Sequence, residues 1–170
     1  MPALTGIGVK LVGLAAAVPN NREDNQDLIA LSKKARTEII ERVGIRYRHI
    51  APKNITASDL CEAAAKKLLV ELNWSAEEVG LLLFVSQTPD HIVPGTATQL
   101  QDRLGLNEDA VCIDINQGCA GYVYGMSMIT ALMQAYKIPK ALLLVGDTIT
   151  KMVSKDDNSI HPIFSDAGSA

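Results

Sequence analysis

Cys119 is the residue whose type and setting best suit covalent chemistry. It follows the apolar run Ala110–Ile113, which reads as a buried strand, and it opens the uncharged segment Ala120–Tyr136, which reads as a buried helix. Gly118 precedes it and Ala120-Gly121 follows, so the backbone can turn sharply and a substrate can reach the sulfur. A helix N-terminus favours an anion, and the thiolate is the nucleophilic form of cysteine. A free cysteine is also a common core residue. Spacing alone leaves Cys119 open between nucleophile and filler. Cys112, inside the apolar run, and Cys61, beside Leu60 and Ala63 on a helical pattern, fit the inert class.

The elements around Cys119 alternate. Ile7–Leu14 reads as a first strand, ended by Pro19-Asn20-Asn21. Asn25–Leu31 and Glu38–Arg42 read as short helices, with Gly44 as a stop. Thr56 to Asp59 has capping-box spacing, and Leu60, Ala64, Leu68 and Leu72 form a stripe at helical period. Ser75–Glu78 is a second cap. Leu81–Val85 and Ala141–Val145 are continuous apolar runs, as expected of strands covered on both faces. Thr96–Leu104 reads as a helix ended by Gly105, and Lys151–Ser159 as a polar loop. Strands alternating with helices predict an α/β fold, mostly parallel, with helices on both faces of the sheet and the Cys119 helix at its centre.

Composition narrows the function. The 170 residues are 48% hydrophobic and 21% charged, with a net charge of −3, which suits one globular domain and not a nucleic-acid binder. Three cysteines without framework spacing suggest a reducing, cytoplasmic setting. No Cys or His spacing suggests a metal, and no signal-peptide pattern opens the chain. The stretch Ile115–Tyr136 carries no charge and is long enough to cross a bilayer, yet its Gly, Asn, Gln, Ser and Thr residues and flanking strands favour a central helix over a membrane span. Arg42, Arg46 and Arg48 lie close enough in sequence to hold a phosphate, but composition alone favours a solvated loop or structural ion pairs.

Five segments, in order, resemble β-ketoacyl-[acyl-carrier-protein] synthase III, a thiolase-fold condensing enzyme. They are Arg42–Ala51, Ser86–Pro94 with Gln99–Gly105, Asp114–Tyr122 around Cys119, Leu144–Lys151 and Phe164–Ala170. The resemblance implies that Cys119 attacks an acyl thioester and holds the acyl group. A carbanion from decarboxylated malonyl-acyl-carrier protein then attacks the acyl-cysteine. It implies acyl-CoA or acyl-carrier protein as substrate, no resident cofactor and a homodimer. Arg42 and Lys151 align with positions near the CoA mouth. Val93 aligns with a loop position that reaches the partner's acyl pocket.

The sequence departs from the family pattern in three ways. The His and Asn that the family uses for decarboxylation belong to its second half, and His49, His91 and His161 do not match them. Residues 1–170 are therefore expected to form an N-terminal half that does not complete the condensation alone. Glu38 stands where well-studied members stack an aromatic residue on adenine. Asn116-Gln117-Gly118 replaces a run of alanines. Two alternatives follow: a related acyltransferase making a specialised product, and a catalytically silent dimerisation half.

Overall fold

The computed structural model describes residues 8–170. Its main sheet has five strands: β1 (Ala16–Ala17), β4 (Leu81–Val85), β5 (Val111–Ile115), β6 (Ala141–Asp147) and β7 (Ala167–Ser169), in the order β1-β7-β6-β4-β5. β4 runs parallel to both β5 and β6, whereas β7 is antiparallel to β6 and β1. A separate hairpin pairs β2 (Arg22–Asp24) with β3 (Tyr47–His49). Four α-helices complete the fold: α1 (Lys33–Val43), α2 (Ala57–Glu71), α3 (Thr96–Leu104) and α4 (Gly121–Tyr136). α2 and α3 cover one face of the sheet and α4 the other.

β4 shows why the apolar runs are continuous. Leu82 and Phe84 point into the core under α2 and α3, while Leu81, Leu83 and Val85 point into the core under α4. All five residues are buried. α2 starts at the predicted capping box, with Thr56 and Asp59 exchanging side-chain and backbone hydrogen bonds. Leu60, Ala64 and Leu68 of its stripe are buried, and Leu72 is partly so. Burying a leucine contributes about 1.5–3 kcal/mol, against about 1 kcal/mol for a cap. Packing therefore holds α2 down, and the cap fixes where it begins.

α3 has no side chain of its own to cap it, because its N-cap residue is Gly95. Asp114 of β5 takes that role, accepting from Thr96 N at 2.6 Å and Ala97 N at 2.7 Å. Gly44 and Gly105 end α1 and α3 in the left-handed conformation, as their positions predict.

Three expectations need correction. Residues 8–14 are not a strand, and Ile7 lies outside the described residues. Of this segment only Ala16–Ala17 pair with β7, next to Ala15, which exchanges hydrogen bonds with Ala170, and Leu11, Val12 and Leu14 stay exposed. Asn25–Leu31 is a single 3-10 turn at Asn25–Asp27. The buried Asn25 side chain donates to Ile45 O and Pro162 O and accepts from Arg48, while Ile29 lacks the packing that would extend a helix. α4 is buried on one side only: Gly121, Gly125 and Ile129 are covered, but Tyr122, Val123, Tyr124, Met128 and Tyr136 are exposed. Its apolar residues encircle it, whereas the described chain packs against a single face. No helix of the described residues is long and apolar enough to cross a membrane.

Candidate active site

Cys119 sits where β5 gives way to α4. The chain leaves β5 at Ile115, turns through Asn116 and Gln117, and enters a 3-10 turn, Gly118–Ala120, that runs directly into α4. Gly118 has φ +53°, a conformation that favours glycine. Two further glycines bring the helix close to the sheet. A Cβ on Gly121 would stand 2.5 Å from Val85 Cγ1, and one on Gly125 would stand 2.8 Å from Leu143 Cδ1. The first turn of α4 is thereby pressed against the C-terminal end of β4 and the second against the middle of β6, which sets Cys119 at the end of the parallel strands where such sheets place their ligands.

A cavity of about 180 Å³ opens there, lined by Cys119 with Val85, Gln87, Gln117, Tyr122, Val145 and Asp147. A larger, mainly apolar cavity of about 310 Å³ lies between residues 8–14, α2 and α4, and shares Tyr122 and Val145 with the first. Asp147, the last residue of β6, organises the wall facing Cys119. Its Oδ1 accepts from Ser86 Oγ (3.0 Å), Gln87 N (2.6 Å), Thr88 N (3.1 Å) and Thr88 Oγ1 (3.2 Å), and its Oδ2 from Gln87 Nε2 (3.2 Å).

The three cysteines differ as their sequence positions predict. Cys119 is exposed and Cys61 is buried. Burial pushes the Cys61 thiol up to about 12. Burial, with a smaller contribution from the charge of Asp114, pushes Cys112 up to about 11. In the native protein near pH 8, iodoacetamide should therefore modify Cys119 while Cys61 and Cys112 wait for denaturant. Peptide mapping of the alkylated protein checks this, and native labelling of Cys61 would contradict the described packing.

The other predicted site residues lie elsewhere. Arg42, Lys151 and Val93 do not line the Cys119 cavity. Arg42 is exposed near the end of α1, in a shallow groove with Glu38. Lys151 Nζ donates to Ile55 O at 2.5 Å and Lys53 O at 3.3 Å. Val93 is exposed on the loop before α3. The three arginines do not converge on a phosphate site. Arg48 is fully buried and bonds Asn25 and Glu23, whereas Arg46 pairs with Asp24 and stacks with Arg22 on Tyr47. Gln87 and Asp147 were legible as members of motifs but not as partners. Their signal was position, since both stand at the C-terminal ends of neighbouring parallel strands.

A five-stranded sheet with helices on both faces and a cysteine at a strand-to-helix turn defines a thiolase-like α/β protein. The sequence model described as 3-oxoacyl-[acyl-carrier-protein (ACP)] synthase III matches residues 113–170. A β-ketoacyl-[acyl-carrier-protein] synthase III of Rhodospirillum centenum is 33% identical over 160 residues, covering 94% of this chain and 49% of that protein. A 3-oxoacyl-(acyl-carrier protein) synthase of Burkholderia xenovorans superposes with a TM-score of 0.85 at 35% identity, over 92% of this chain and 45% of that one. The synthase III of Thermus thermophilus gives a TM-score of 0.87 at 29% identity, over 95% and 50%. Along nearly all of its length the chain is similar to β-ketoacyl-[acyl-carrier-protein] synthase III proteins, in sequence and in fold. It spans about half the length of the curated relatives it matches.

Proposed function

We propose that residues 1–170 form the nucleophile-bearing half of an acyl-thioester condensing enzyme. The observation that carries this reading is the exposed Cys119, set at the strand-to-helix turn and facing its own cavity. Its Sγ attacks the carbonyl of an acyl-CoA or acyl-carrier-protein thioester. The tetrahedral oxyanion collapses, the carrier thiol leaves and the acyl group stays on Cys119. The Ala120 and Gly121 N–H groups are bonded to Gln117 O and Gly118 O, so the donor that suits such an oxyanion is the backbone N–H of Cys119 itself, at the opening of the turn. Malonyl-acyl-carrier protein then loses CO₂. Its enolate attacks the acyl-cysteine carbonyl, forming the new C–C bond and releasing the Cys119 thiolate. The groups that promote decarboxylation come from the counterpart of the family's second half, and no resident cofactor or metal takes part. Arg42 and Lys151 serve the approach of the carrier, and Val93 serves a partner's acyl pocket.

Intact mass spectrometry of the natural full-length protein, incubated with short and long acyl thioesters on CoA and on carrier protein, tests the first step. The expected result is a mass gain equal to one acyl group that disappears in Cys119→Ala. No gain with any donor would sink the reading.

The same reading places the protein in the cytoplasm as a homodimer. β5 is an edge strand with half of its backbone hydrogen bonds unused by the sheet, and Val111 on it is exposed. Light scattering should give twice the chain mass. A monomer at high micromolar concentration would contradict the dimer.

A further inference from the structure

We infer that Gln87, held by Asp147, selects the acyl group that Cys119 accepts, and that it favours a short acyl group carrying a hydroxyl. This rests on the acylation of Cys119 proposed above and names its substrate class.

The inference begins with the amide's orientation. A carboxylate only accepts hydrogen bonds, so the side-chain NH₂ of Gln87 must face Asp147 Oδ2, which it meets at 3.2 Å. Oε1 therefore points the other way. It lies 3.6 Å from where a Cβ on Gly118 would be, beside the turn that carries Cys119. The backbone N–H of Gln87 is bound to the same carboxylate at 2.6 Å, so main chain and side chain are fixed together. Thr88 adds two donors to Asp147, and its Oγ1 also accepts from Thr148 N at 2.9 Å. The wall is thus a rigid loop presenting an acceptor to the cavity.

An acceptor fixed in this way calls for a donor on the ligand. A plain alkyl chain would cover Oε1 and leave it without a partner, whereas a hydroxyl would satisfy it. The volume agrees with a small group. About 180 Å³ corresponds to roughly six water-sized volumes at about 30 Å³ each. Asp147 is a positioning residue here, since it acts through Gln87.

The test compares acyl thioesters of equal length with and without a hydroxyl, on the natural full-length protein, reading the rate of Cys119 acylation by intact mass. The wild type is expected to prefer the hydroxyacyl donor by about tenfold, the scale of one neutral hydrogen bond at a partly exposed site. Gln87→Leu, near in volume but without the amide, should abolish or reverse that ratio while still accepting the plain acyl group. Asp147→Asn should reduce the ratio by freeing the amide to rotate. A merely structural role would lower both rates equally and leave the ratio unchanged. If Cys119 is acylated but the ratio is near one, or identical in wild type and Gln87→Leu, the inference fails alone. A preference for long plain chains would also overturn it, placing the tail past Tyr122 and Val145 in the larger cavity. If no donor acylates Cys119, the proposed function fails and takes the inference with it.

Discussion

Cys119→Ala is expected to eliminate acyl transfer to the protein, and Cys119→Ser to slow it by about 10³-fold or more. The serine prediction is the sharper one, because it depends on what surrounds the nucleophile. A serine hydroxyl needs a neighbouring base at neutral pH, whereas a cysteine thiol is intrinsically far more nucleophilic. No histidine lines the Cys119 cavity among the described residues. The one carboxylate there, Asp147, is engaged by five donors from Ser86, Gln87 and Thr88. Serine would therefore lose the sulfur and gain no helper. Single-turnover acylation of the full-length protein, followed by intact mass, measures both variants. A mass gain persisting in Cys119→Ala would move the chemistry to another residue. Fast acylation of Cys119→Ser would require a base from outside the described residues to reach this cavity.

The legible parts of the chain were those set by local rules. Leu81–Val85 reads as a buried strand because both of its faces are covered, and each face does meet a separate core. Thr56-Asp59 and Gly105 mark helix ends through their own hydrogen bonding and backbone conformation, so sequence spacing locates them. The position of Cys119 at a strand-to-helix turn was legible for the same reason, since small residues on both sides of such a turn are a local pattern. What failed depended on distant partners. Residues 8–14 have strand composition, but pairing begins only at Ala15, which exchanges hydrogen bonds with Ala170, and continues at Ala16–Ala17 on β7. The arginine segment reads as a solvated loop or structural ion pairs, and Arg46 and Arg48 do pair, with Asp24 and Glu23; not legible was the full burial of Arg48 against Asn25 and the carbonyls of His161 and Phe164. Asp147 and Gln87 are 60 positions apart, and only the parallel register of β4 and β6 places them together.

The packing of β7 against α2 leaves no room for a methyl group, and Gly168→Ala is expected to cost more stability than an alanine at a glycine with open space around it. A Cβ on Gly168 would lie 2.4 Å from Cys61 N, 2.5 Å from Leu60 C and 2.7 Å from Leu60 Cβ. Two of those atoms are α2 backbone, so no side-chain rotation relieves the clash. α2 would have to lift from β7, loosening Leu60, Cys61 and Ala64, all now buried. Overpacking costs about 1–3 kcal/mol and occasionally more, and the rigid backbone atoms met here put this case at the upper end, a large share of a stability of about 5–15 kcal/mol. Gly105→Ala separates the causes. Gly105 has φ +66° and open space around it, so alanine there brings only backbone strain, about 1–2 kcal/mol. Urea unfolding of both variants against wild type should show a lower midpoint for Gly168→Ala at unchanged slope, and a smaller shift for Gly105→Ala. The consequence reaches the site, because β7 pairs Ala167 with Asp147 and so helps fix the end of β6. A folded Gly168→Ala protein should also acylate Cys119 more slowly. Equal midpoints for Gly168→Ala and wild type would mean that α2 can slide over β7, and that the close approach of helix and strand does not hold Asp147 in place.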